Sequence, residues 1–278
     1  MAKKTAKAEE KEERVEANEA EQVEGIRDTF EIPYGYKDEE GNLHKEVHII
    51  EIGGGAEEAI ARADIRTNVG KIVTTLLAYC VDRVGTLEKE FTKPTKWEKI
   101  FRSMYLGDRD SILFNITLLT HFLGREDNKE LSFDSRCPVC MQQSKICFDP
   151  DEIQILPVKE NPEQLPFELP RGYRQPKTGA IYKSGIARMP TGFEQELLDT
   201  QARKNPAVAN TSLLARCVYE MGDLRLNSKV FRDLGKRDRE HILKIISDNV
   251  FGPRFMIDVV CENCGAKFEA GVHPINFF

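Results

Sequence analysis

Cys137-Pro138-Val139-Cys140 and Cys261-Glu262-Asn263-Cys264 are the stretches that decide how this chain folds. Two cysteines separated by two residues can turn both sulfurs toward one point, so each pair supplies half of the tetrahedral thiolate site that Zn²⁺ prefers. Neither pair closes such a site alone. The approaches are also alike: Phe133-Asp134-Ser135-Arg136 precedes the first pair and Ile257-Asp258-Val259-Val260 the second. The knuckles therefore read as belonging to two copies of one ancestral unit, folded face to face about a pseudo-twofold axis and stapled by one metal. Cys137, Cys140, Cys261 and Cys264 are its ligands.

Working outward, the repeat extends far upstream of the cysteines. Residues 30–37 read Phe-Glu-Ile-Pro-Tyr-Gly-Tyr-Lys and residues 167–174 read Phe-Glu-Leu-Pro-Arg-Gly-Tyr-Arg, five of eight identical at a shift of 137. The same shift aligns Gly55 with Gly192, Glu57 with Glu194, Arg66 with Arg203, Asn68 with Asn205, Cys80 with Cys217 and Gly85 with Gly222. After small length differences, Lys99-Ile100-Phe101-Arg102 matches Lys229-Val230-Phe231-Arg232. Leu106-Gly107-Asp108-Arg109-Asp110 is then set against Leu234-Gly235-Lys236-Arg237-Asp238, and Phe122 and Gly124 against Phe251 and Gly252. Matches in one order over such a length indicate an internal duplication.

Each copy predicts the same layout, which makes the fold class α+β: two tandem homologous halves, each a hairpin plus helices plus a C-x-x-C zinc knuckle, sharing one zinc site. The first hairpin turns at Asp38-Glu39-Glu40-Gly41-Asn42, the second around Gly179. A long helix follows Gly53-Gly54-Gly55 with Glu57 and Glu58 in its first turn, where the helix dipole favours them. Ile65, Val69, Ile72, Val73, Leu76, Leu77 and Cys80 form its buried stripe. In the second copy Pro206 breaks the corresponding helix near Asn205. Further helices run from about Arg109 to Phe122, with Ile112, Leu113, Ile116, Leu119 and Leu123 inward, and from about Arg237 to Val250. The domain reading is a charged, disordered tail over 1–29, a first half over 30–156, a Pro/Glu/Asn-rich connector over 157–166 and a second half over 167–278.

Composition narrows the function. A net charge of −6 and a pI near 5.6 give no electrostatic footprint for gripping a phosphate backbone, so nucleic acid is disfavoured as a partner. No apolar signal segment opens the chain and no run approaches the ~20 residues that cross a bilayer. With four of seven cysteines in C-x-x-C pairs, the expectation is a soluble protein of a reducing, intracellular compartment.

Other candidate chemistry weighs toward structure. Four thiolates leave a zinc ion no open position for water, so the metal acts on stability and catalysis is not expected. Cys80 and Cys217 read as core thiols, and Cys147, opposite Gly271, is not a ligand. The triple glycine lacks a P-loop or G-x-G-x-x-G context and reads as a strand-to-helix turn. Arg109-Asp110 and Arg237-Asp238 read as helix-start pairs, the arginine snorkelling or pairing locally. His44, His48, His121, His241 and His273 form no metalloprotease or triad spacing, and no nucleophile context is present. The catalytic and cofactor-binding sets are empty; the chain is read as a non-enzyme.

The ending, Arg237-Asp238-Arg239-Glu240, Phe251-Gly252-Pro253 and Val260-Cys261-Glu262-Asn263-Cys264-Gly265, resembles the baseplate hub assembly chaperone family of T-even-type tailed bacteriophages and related contractile systems. Phe30-Glu31-Ile32-Pro33, Leu76-Leu77-Ala78, Leu106–Asp110 and Cys137–Cys140 are similar to segments of proteins encoded among phage tail genes. The resemblance implies a phage tail or baseplate assembly chaperone or structural component, working in the host cytoplasm or retained in the virion tail, with other tail or baseplate proteins as partners and no membrane. The alternative is a zinc-ribbon nucleic-acid-binding protein of phage transcription or replication. A third, a metal-dependent hydrolase, requires a non-thiolate ligand.

Overall fold

The computed structural model describes residues 28–62, 67–89, 94–122 and 130–272. Nearly all of the expected tail, together with Ile65, Arg66, Leu123, Gly124 and His273, lies outside them. The first half opens with the hairpin β1 (Thr29–Lys37) and β2 (Leu43–Ile49), and the second with β8 (Leu165–Arg174) and β9 (Ile181–Ala187). Both hairpins turn where expected: Gly41 N–H donates to Asp38 O at 3.1 Å, and Gly179 N–H to Gln175 O at 2.9 Å.

The repeated Phe-Glu-x-Pro-x-Gly-Tyr motif has a physical explanation in a bulge. The β1–β2 register shifts between Glu31 and Tyr36, and the β8–β9 register between Glu168 and Tyr173. Proline has no N–H for the ladder, and Gly35 and Gly172 take φ of +114° and +84°, which side chains resist. The bulge frees N–H groups from the sheet, and a buried carboxylate collects them. Tyr34 and Gly35 N–H donate to Asp108 at 2.8 and 3.3 Å, and Arg171 N–H donates to Asp238 at 2.9 Å.

After the hairpin come α1 (Gly54–Ile60) and α2 (Val69–Cys80) in the first half, and α5 (Gly192–Lys204) and α6 (Pro206–Cys217) in the second. The break expected at Asn205 is present. The single long helix expected in the first half is instead two, because Asn68 is extended and its side chain accepts from Lys71 N–H at 3.0 Å, a strong N-cap. Each second helix runs directly into a short strand, β3 (Val81–Val84) or β10 (Val218–Glu220), that pairs with the hairpin's return strand. The sheets therefore order β1-β2-β3-β4, with β4 at Leu87–Glu88, and β8-β9-β10.

Next come α3 (Pro94–Ser103) and α4 (Leu106–Phe122), and in the second half α7 (Ser228–Asp233) and α8 (Lys236–Asp248). Here the two halves match in a register two residues from the one that their Leu-Gly and Arg-Asp pairs favour. Asp108 and Asp238 both stand third in their helices and both hold the bulge, so Arg109 corresponds to Arg239, and not to Arg237. Identical Leu-Gly and Arg-Asp pairs had favoured the other frame. With the shift held at 130, the sequence from Lys99 through Ile116 aligns with that from Lys229 through Ile246 without a gap.

Each half ends in a knuckle hairpin, β5 (Leu131–Arg136) with β6 (Gln143–Phe148) and β12 (Met256–Val260) with β13 (Lys267–Gly271). Alternate residues of both hairpins, Leu131, Phe133, Phe148, Ile257, Val259 and Ala270, meet in one shared apolar cluster; the buried members of each of the other two clusters come from one half, with Tyr34 and Tyr105 of the first half packing on that of the second. β7 (Gln154–Leu156) and β11 (Gly252–Arg254) pair across the halves. The connector is tied down at both sides, with Lys37 Nζ 3.2 Å from Glu163 and Tyr219 Oη donating to Glu163 O at 3.1 Å.

The main helical contact between halves sets α2 against α5. Asn68 Nδ2 donates to Glu196 O at 2.7 Å, Val69 N–H to Asp199 at 2.8 Å, and Thr74 Oγ1 and Arg102 Nε to Glu196 Oε1 at 2.6 and 2.9 Å. Gly70 permits the approach: a Cβ there would meet Glu196 N at 2.6 Å. Arg109 neither snorkels nor pairs locally. Fully buried, it donates to the Phe101 and Gly70 carbonyls at 2.7 and 3.2 Å and to Gln195 Oε1 at 3.1 Å. This contact departs from a twofold arrangement, since Asn68 is buried and its counterpart Asn205 is exposed.

Candidate metal centre

The two knuckles are built alike from backbone outward. Cys137 N–H donates to Gln142 O at 2.9 Å and Met141 N–H to Cys137 O at 2.9 Å; Cys261 N–H donates to Ala266 O at 2.9 Å and Gly265 N–H to Cys261 O at 2.8 Å. Both turns close through a left-handed residue, Met141 at φ +61° and Gly265 at +71°. Val139 N–H points at Cys137 Sγ from 3.4 Å.

Docking of the hairpins over their shared apolar cluster brings the tips together across about 120 residues of sequence. The sulfurs of Cys137, Cys140, Cys261 and Cys264 all lie within 4.8 Å of one another. Cys137 faces Cys264 and Cys140 faces Cys261, each at 3.7 Å. A disulfide requires about 2.0 Å, whereas sulfurs on a tetrahedron of ~2.3 Å metal–sulfur bonds stand about 3.8 Å apart. The four thiols are free, and their spacing suits a thiophilic ion such as zinc. Such a site uses every tetrahedral position for protein sulfur.

Its environment is graded. Cys137 and Cys261 are buried, Cys140 half-buried and Cys264 exposed. The Asn263 side chain and the Gln142 N–H draw the Cys140 thiol down to about 6. At Cys264 the Ala266 N–H favours the thiolate, but burial and the three neighbouring thiols outweigh it and push the group up to about 12. Asn263 was not singled out in the sequence, where its place between ligands was the available signal.

The remaining candidates lie elsewhere. Burial pushes both Cys80 and Cys217 up to about 12, as core thiols. Cys147 is exposed and lines a cleft of about 310 Å³ between β6 and β12, with Cys137 and Cys261 at its end. His44 Nε2 lies 2.9 Å from Asp38, and His48 Nδ1 lies 2.5 Å from Asp82, both in the first sheet. Gly53 opens α1 without a side-chain cap, whereas Thr191 opens α5 with a capping box to Glu194, itself paired with Arg188 at 3.1 Å. No described helix is long and apolar enough to cross a membrane. Comparison of the chain with protein-family models, with curated proteins and with solved structures finds no match.

Proposed function

We propose that this chain is a non-enzymatic assembly or structural protein of a contractile phage tail, made of two copies of one ancestral unit and clamped by a single structural Zn²⁺. The convergence of Cys137 and Cys140 with Cys261 and Cys264 carries the reading, because the thiols come from the tips of corresponding hairpins in opposite halves. The common element order, the paired bulges held by Asp108 and Asp238, and the paired caps Asn68 and Asn205 support the duplication. Placement among tail proteins rests on the resemblance of the helix, Phe-Gly and C-x-x-C-G segments to the baseplate hub assembly chaperone family.

The residues of the chain do the mechanical work. The backbone N–H groups of each knuckle aim two sulfurs inward, and the shared apolar cluster beneath holds the hairpins in register. Zinc supplies cross-linking: apparent binding free energies for structural zinc in finger peptides run about 10–16 kcal/mol, so a fraction of that keeps the halves docked. The clamped body then presents fixed surfaces to tail subunits.

Affinity capture of the tagged chain from cells producing the full set of tail proteins tests the reading. Recovery of tail or baseplate subunits in near-stoichiometric amount is expected. Recovery of nucleic acid with steep salt dependence in their place would overturn it in favour of the zinc-ribbon alternative.

A further inference from the structure

The two halves carry the same helix-gripping constellation, and only one copy has anything in its grip. In the first half, Asn68, Thr74, Arg102 and Arg109 all bond to Gln195, Glu196 or Thr200 of α5. Their counterparts are Asn205, Thr211, Arg232 and Arg239. The correspondence extends to detail: Thr74 and Thr211 each donate to the carbonyl four residues earlier, at 3.0 Å, and Phe101 and Phe231 are each fully buried beneath.

In the second half no described element covers this face. Asn205, Pro206, Ala207, Val208 and Arg232 are exposed, where the residues from Asn68 through Ala78 are buried or half-buried. Arg232 makes no ion pair and the Arg239 guanidinium no hydrogen bond among the described residues, although the Arg239 Nε is shielded from solvent. Arg232 and Arg239 thus stand on helices packed against α6, whose counterpart α2 is covered by a carboxylate-bearing helix.

We propose that the α6–α7 face is a docking site for a helix of a different protein, one carrying Gln-Glu at its fourth and fifth positions and, three residues after that glutamate, an acidic residue followed by Ser or Thr, as α5 does. Charge complementarity selects the occupant: Glu196 answers Arg102, so a glutamate answers Arg232. A second copy of this chain is a poor fit. Its α5 is already engaged, and at the corresponding places α1 and its C-terminal extension put Glu58 at Gln195, Ala59 at Glu196 and Arg62 at Asp199, so the carboxylate that answers Arg102 is missing from its position and the charge at the place of Asp199 is reversed. Ala207 stands where Gly70 stands in the first half, so the incoming helix rides further out than α5 does and reaches with the longer acid.

This inference rests on the assembly reading for the existence of a partner and adds the partner's chemistry. A labelled peptide with the sequence of residues 191–204 and Asp199→Glu is titrated against the full chain by fluorescence anisotropy. Saturable binding is expected, weakened at least tenfold by Arg232→Glu in the chain and likewise by Glu196→Gln in the peptide. Because Arg232 is exposed, that variant folds. Absence of saturable binding to the full chain overturns the proposal, whether the face is inert or covered by residues 1–27; so does binding that Arg232→Glu leaves unchanged. Self-association of the chain alone that Arg232→Glu abolishes assigns the face to a second copy and overturns it too. A chain that captures tail subunits yet ignores the peptide fails here alone.

Discussion

The first half buries α2 under a helix of the second half, while α6, its counterpart, keeps the corresponding face in solvent. Both helices have the same cap, the same hydroxyl back-bond and the same strand running from their C-terminus. One difference lies at the point of closest approach, where Gly70 admits the backbone of α5 and residue 207 is Ala. A single methyl group at that position sets how closely a helix backbone can approach.

The knuckles make the opposite case, since there the halves are alike and neither is complete without the other. Loss of a buried ligand should have the largest effect of any single change. Cys261→Ser or Cys137→Ser is expected to abolish stoichiometric zinc and lower unfolding free energy by on the order of several kcal/mol, read by denaturant titration with metal analysis. Equal stability with and without zinc would separate the two hairpins' packing from any clamp.

Arg109 and Arg239 sharpen the contrast next. Replacing Arg109 with Met removes donors from two buried carbonyls and from Gln195, and should cost about 3 kcal/mol, within the range for breaking buried polar networks. Arg239→Met removes no hydrogen bond from a half-buried side chain and should cost distinctly less, under about 1 kcal/mol. Comparable losses at both would mean that the second site is already occupied.

The bulges are held less equally than the motifs that make them. Asp108 accepts two backbone N–H groups and Asp238 one. With about 1–3 kcal/mol for each buried donor left unmade, Asp108→Ala should cost roughly twice what Asp238→Ala does in chemical denaturation.

Much of this was legible in the sequence. The C-x-x-C pairs located all four clustered thiols, because two sulfurs at that spacing need a common focus whatever the fold. The Phe-Glu-x-Pro-x-Gly-Tyr motif marked the hairpins, because proline and glycine disrupt a strand in a position-specific way. The two-residue error in aligning Asp108 had a simple origin: Leu-Gly and Arg-Asp are cheap identities, and only the bulge N–H groups show which aspartate is used. Arg109 was misread because an arginine on a helix is usually at the surface; its burial depends on carbonyls from Gly70 and Phe101 and on a side chain from the other half, none of which leaves a local pattern. Asn68 was passed over because the hydrophobic period after it looks the same whether a helix begins or continues there.

The smallest effect concerns the knuckle turns. Met141 takes the left-handed conformation that Gly265 takes in the second knuckle, at an expected cost of about 1 kcal/mol. Met141→Gly should therefore raise stability by up to about that amount, and Gly265→Ala lower it, in thermal melts of the zinc-loaded chain.

Zinc-edge X-ray absorption on the purified chain, paired with its metal content, tests the clamp most directly. One zinc per chain with four sulfurs at about 2.3 Å is the expected result. A first shell containing nitrogen or oxygen, or two ions each held by one cysteine pair, would contradict a single ion shared between the halves.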